Sequence, residues 1–124
     1  MQNEPDSADL LAIVAEVLTD EVVPKLTGAA QHHARVAANI VAIVEREIRV
    51  ADDNDAHELA RLRGVLGDEC PGDLCDARAA LVASLRAGLG DDPRRFEEIW
   101  TNLLDTVRRD LAVCKPGYDD WEAD

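Results

Sequence analysis

Residues 29–50 read AAQHHARVAANIVAIVEREIRV. Ala30, Ala34, Ala37, Val41, Val44 and Ile48 recur at alternating steps of four and three. That is the return of one face of an α-helix. Val36, Ile40 and Ile43 fall beside this stripe. At about 100° per residue the apolar arc spans roughly 160°, wide enough for two or more neighbours. The segment reads as the long central helix, opened by Thr27-Gly28, and its alanines let another helix approach closely.

Working outward, an earlier helix is expected over residues 8–23, with Ser7 as its N-cap and Asp9 at its positive end. Leu11, Val14, Leu18 and Val22 form its stripe, and Pro24 ends it. On the other side, Asp52, Asp53 and Asp55 read as a solvated connecting loop. Asp55 with Glu58 resembles a capping box for a short helix over 56–66, ended by Gly67. Its Leu59, Leu62, Val65 and Leu66 point to the core. A fourth helix covers 74–87, capped by Asp73 and stopped by Gly88. Asp92-Pro93 opens a fifth, to about residue 113, with Phe96, Trp100, Leu103, Val107 and Leu111 as its apolar face. Lys115-Pro116-Gly117 stops it. The expectation is an all-α, single-domain bundle of about five helices with a long central helix, and flexible ends at 1–6 and 118–124.

The chain has 124 residues, 47% hydrophobic and 31% charged, which suits one globular core. Lys and Arg number 13 against 26 Asp and Glu, a net charge of −13. Nucleic acid and anionic membrane both require a basic face, so neither is expected as a partner. No apolar run reaches the roughly 18 residues that span a bilayer. The first nine residues carry acids and no Lys or Arg, unlike a secretory signal. Three cysteines, an odd number, suit free thiols in a cytoplasmic protein.

Five polar residues interrupt the central helix. His33 falls within the apolar arc near its start, where a buried histidine is either a base or a hydrogen-bonded core residue. Glu47 falls in the same arc and is expected to be paired with an Arg of another helix. Arg35, Asn39 and Arg46 share the opposite face, where two guanidiniums and an amide suit an anion or a structural polar network. Cys70 and Cys75 are four residues apart across a Pro-Gly loop but lack the second pair that a zinc site requires. The acidic run from Asp52 has Ala56 and His57 at the fifth and sixth positions, which breaks a calcium loop. Gly-rich phosphate loops, nucleophile elbows and His-Glu zinc motifs do not occur, so neither a metal nor a cofactor is expected.

The central helix from His33 to Glu47 and the stretch from Thr106 to Tyr118 resemble a small, uncharacterised bacterial family of all-helical proteins. The resemblance runs over about residues 7–118. Members of that family accompany, or are fused to, aminoglycoside-phosphotransferase-like kinases, often near acyl-CoA dehydrogenases. The family pattern includes residues matching His33, Arg35, Asn39, Arg46 and Glu47, to which it assigns no chemistry. The Cys-Pro-Gly loop at 70–72 and the acidic tail depart from it. The resemblance implies a non-catalytic accessory module that binds a kinase-like partner, forms a homodimer, or does both. The residues alone leave a second reading open: a small enzyme or sensor that holds an anionic metabolite on Arg35, Asn39 and Arg46.

Overall fold

The computed structural model describes residues 4–118, and every regular element among them is helical. The expected ends at 1–3 and 119–124 lie outside the described residues. Four α-helices are formed: α1 (Ser7–Val17), α2 (Gly28–Leu66), α3 (Leu74–Arg86) and α4 (Pro93–Cys114). The fold is all-α, with one helix fewer than the sequence suggests.

The N-cap of α1 is Asp6 rather than Ser7. The Asp6 carboxylate accepts from the Asp9 N–H at 2.8 Å, and Asp9 reaches back to the Asp6 N–H, so a capping box begins one residue earlier. Nor does α1 run on to residue 23. Pro24 has no N–H and crowds the turn before it, and the chain adapts by widening. A π-helical turn covers Leu18–Val22 and a 3-10 turn covers Val23–Lys25.

The largest correction concerns residues 50–56. The expected loop does not exist, and the helices read as 29–50 and 56–66 form the single 39-residue α2. Asp and Asn cost a few tenths of a kcal/mol each in a helix interior, but no proline interrupts the hydrogen-bond ladder there. Asp55 is therefore not a cap. Glu58 turns instead to Arg78, which donates to it at 2.8 and 2.6 Å.

The termini of the later helices follow their local chemistry. Gly67 takes φ +74° at the end of α2, where a Cβ would be strained. Asp73 accepts from the Asp76 N–H at 3.0 Å and caps α3. Gly88 takes φ +100° after α3, and Asp92 accepts from the Arg94 N–H at 3.0 Å at the start of α4.

Contacts divide the chain into two compact units. Of the described residues, the first holds 4–51 with 113–115 and the second 52–112 with 116–118. In the first, Asp9 pairs with Arg49 while Val23 accepts from Gln31, so α1 lies antiparallel along the first part of α2. Ala8, Val23, Ala38 and Val113 are its buried residues. In the second, Leu62, Val65, Ala77, Leu81 and Ile99 form the core, with Leu59, Leu66, Cys70, Leu74 and Leu89 against it. Among the described residues no large side chain is completely enclosed.

Two capping positions test the continuity of α2. Asp55→Ala is expected to change stability by under about 0.5 kcal/mol, as for an ordinary helical surface site. Asp73→Ala, at a real cap, is expected to cost about 1 kcal/mol. Urea denaturation of both variants checks the contrast, and comparable losses would restore the break at residue 55.

Candidate functional site

The five polar residues of the central helix do not converge. In the first unit, Arg35 and Asn39 are exposed and line a broad open groove with Ala15, Glu16, Thr19, Asp20 and Gln31. Glu16 and Asp20 bring two carboxylates to the groove that holds this single guanidinium. Arg46 is half-buried and is not part of the lining. Its Nε donates to the Val113 carbonyl at 2.8 Å. That carbonyl lies in the last turn of α4, where no N–H of the helix remains to meet it. Arg46 therefore acts as a side-chain cap.

His33 and Glu47 also require correction. Both are exposed, although both fall inside the apolar arc. The His33 ring lies tilted against His32, with centroids 6.1 Å apart, and is not a core histidine. The arc is apolar over more of its width than the first unit covers. Ala34, Ala38, Val41 and Ala42 are sheltered, while Val36, Ile40, Val44 and Ile48 stand 42–54% exposed.

Arg49 holds both Glu45 and Asp9, the latter at 3.1 Å. The hydrogen bond from Arg49, then the backbone bond at Asp6, keep the Asp9 carboxyl below the ordinary carboxylate value of 3.8. A carboxyl depressed in the folded state adds stability that is complete above its unfolded value and lost as pH falls through the folded one.

The second unit holds a polar network that the sequence reading missed. Asn54, His57 and Arg61 share one face of α2 and meet Asp105 and Arg109 of α4. Arg109 spends its guanidinium three ways: Nε to Asp105 at 3.0 Å, Nη1 to Asn54 at 3.2 Å and Nη2 to His57 Nε2 at 3.1 Å. His57 Nε2 also lies 3.7 Å from the Asp105 carboxylate. Arg61 Nε lies 3.1 Å from the same Asp105 oxygen, yet its direction makes no hydrogen bond. One carboxylate thus serves two guanidiniums. The signal was the spacing of Asn54, His57 and Arg61 at i, i+3 and i+7, hidden once residues 52–55 were read as loop.

Beside this network lies a cavity of about 220 Å³ between α2, α3 and α4. Its walls are Leu62, Val65, Leu81, Val82, Ile99 and Leu103, with Arg61, Asn102, Thr106 and the Glu58–Arg78 pair among its polar lining. Arg78 is held firmly charged, first by its hydrogen bonds to Glu58 and further by Asp55 and Asp110.

The apolar face expected to bury α4 is largely outside. Ile99 is buried, but Phe96, Trp100, Leu103 and Val107 are 57%, 59%, 43% and 51% exposed. Phe96 and Trp100 stack with centroids 6.4 Å apart. Cys70, Cys75 and Cys114 are free thiols, and Cys70 is half-buried against the core. Among the described residues no group of His, Cys, Asp and Glu is placed to hold a metal ion, and no helix is long and apolar enough to cross a membrane.

The two ionic clusters carry distinct expectations. By NMR titration, the Asp9 carboxyl is expected to ionise below 3.8 and to move upward in Arg49→Gln; an unchanged midpoint would contradict the pairing. Asp105→Ala is expected to cost about 1–2 kcal/mol in chemical denaturation, since it strips Arg109 of an acceptor and Arg61 of its counter-charge. Glu98→Ala, which loses only the exposed pair with Arg95, is expected to cost under about 0.5 kcal/mol.

Neither a curated protein nor a solved structure matches the chain. A family described as a domain of unknown function, DUF6285, matches residues 24–118, which takes in all of α2, α3 and α4 but leaves out α1. With most of its length inside that match, the chain belongs to the DUF6285 family.

Proposed function

We propose that the chain is a non-catalytic accessory module whose exposed apolar faces are covered by a protein partner. The observation that carries this is the placement of the aromatic residues. Phe96, Trp100 and Tyr118 are the aromatics among the described residues, and each is 57–59% exposed. Burying one aromatic side chain is among the largest single gains available to a fold, and this chain leaves all three outside. Aromatic residues in such positions are the side chains that dominate binding energy at protein interfaces. The resemblance of the central and last helices to a family accompanying aminoglycoside-phosphotransferase-like kinases makes a kinase-like protein the proposed partner.

The reading of an anionic-metabolite sensor on Arg35, Asn39 and Arg46 has less behind it. Arg46 is engaged by a backbone carbonyl, and Arg35 shares its groove with two acids. A phosphate or carboxylate in that groove would face two negative charges against one positive.

The test is capture of the partner from the native host by tagged wild-type chain and by a Phe96→Ser, Trp100→Asp double variant. Both side chains are more than half exposed, so circular dichroism and Tm are expected to remain those of the wild type. A kinase-like protein is expected with the wild type and reduced about tenfold with the variant. Equal recovery by both, or no kinase-like protein with either, would overturn the proposal.

A further inference from the structure

We infer that the cavity between α2, α3 and α4 binds a short aliphatic monocarboxylate, with its carboxylate on Arg61 and its chain among the apolar walls. The spacing on α2 builds the site. Glu58, Arg61, Leu62 and Val65 stand at i, i+3, i+4 and i+7, one face of the helix, and all four line the cavity. Leu62, Val65, Leu81 and Ile99 are buried walls, while Val82 and Leu103 stand 47% and 43% exposed on its open side.

Arg61 carries the inference. An arginine has five N–H donors. Arg78 gives two of its own to Glu58, and Arg109 gives three to Asp105, Asn54 and His57. Arg61 makes no hydrogen bond with any described residue. Its Nε is enclosed 3.1 Å from an Asp105 oxygen that already accepts from Arg109. With its side chain only 33% exposed, the guanidinium is largely out of water and lacks an acceptor in the fold. A carboxylate is the group that matches a guanidinium with two parallel bonds.

The rest of the lining selects the head group and the chain. A cationic head finds no free acid, because both Glu58 oxygens are taken by Arg78. An alcohol can accept from Arg61 but brings it no charge. The charged residues lining the cavity are Arg61, Arg78 and Glu58, two positive and one negative, and Asp105 offers its single charge to both Arg61 and Arg109. Asp55 and Asp110 also act on Arg78, but both are exposed, where water and salt screen them. The remaining polar lining is matched within α4. Asn102 Nδ2 donates to the Glu98 carbonyl at 2.8 Å, and the Thr106 hydroxyl donates to the Asn102 carbonyl at 3.2 Å. At about 30 Å³ for each water-sized group, 220 Å³ holds about seven non-hydrogen atoms, the size of pentanoate. Phe96, Trp100 and Tyr118 do not line the cavity, so the site and its test stand apart from partner capture.

The experiment is an NMR titration of the full isotope-labelled chain with sodium pentanoate, pentanol, pentylamine, acetate and inorganic phosphate at one ionic strength. Pentanoate is expected to give saturable shifts at the Leu62, Val65, Leu81 and Ile99 amides. Pentanol is expected to bind at least about tenfold more weakly. Pentylamine, acetate and phosphate are each expected to leave bound pentanoate in place at equal concentration. Arg61→Gln is expected to weaken pentanoate at least about tenfold with Tm near that of the wild type, since it removes no hydrogen bond of the fold. Leu103→Trp fills the open side of the cavity and is expected to abolish binding, which tests the cavity independently of Arg61. Arg35→Gln, in the groove of the first unit, is expected to change nothing. Equal binding of pentanol and pentanoate, or displacement of pentanoate by acetate or phosphate, would overturn the inference. So would shifts that never saturate, or pentanoate binding indifferent to Arg61→Gln or to Leu103→Trp.

Discussion

The hydrogen-bond ladder of α2 runs unbroken from Gly28 to Leu66, and both compact units are built on that one helix. Its first part shelters Ala34, Ala38, Val41 and Ala42 in the first unit. Its last part supplies Leu62 and Val65 to the core shared with α3 and α4. Residues 52–55, three acids and an asparagine, lie where the two duties meet. Their helical state is supported from outside by Asn54 and His57, which receive the Arg109 guanidinium. Tertiary bonds of this kind outweigh the few tenths of a kcal/mol by which each Asp or Asn disfavours a helix.

A chain organised in this way has limited means of enclosing apolar surface. Alanines occupy much of the covered side of the first unit, so close approach is gained at the expense of buried area. The larger side chains, Ile40, Ile48, Phe96 and Trp100 among them, stand outside. The polar groups are more fully matched than the apolar ones. Arg46 meets the Val113 carbonyl, Arg78 meets Glu58, and Asp105 and Arg109 meet Arg61 and Asn54 of α2. These bonds fix helix register, and they leave uncovered faces that a partner's side chains can fill.

Much of the fold was legible from single residues. Asp73, Gly67, Gly88 and Asp92-Pro93 mark real helix ends because capping and positive φ are local requirements. The acidic stretch at 52–55 was misread because composition says loop while the deciding contact comes from Arg109, far along the chain. Periodicity found the apolar arcs of α2 and α4 but carries no information on which side a neighbour covers. For that reason periodicity puts His33 and Glu47 within an apolar arc and Phe96 and Trp100 on an apolar face, when all four are exposed. The candidate residues scattered for the same reason: Arg35 and Asn39 share a groove, while Arg46 is turned to a helix end. The His57–Asp105–Arg109 network depends on two helices meeting, which no local pattern announces.

The central claim is that the aromatic face of α4 is covered in the working state of the protein. Hydroxyl-radical footprinting, with mass spectrometry of Phe96 and Trp100, tests it most directly. The chain is labelled both in its native assembly and after purification to isolation. The account predicts that both residues react several-fold more slowly in the assembly than in the isolated chain. Equal reactivity of Phe96 and Trp100 in the two preparations would contradict it.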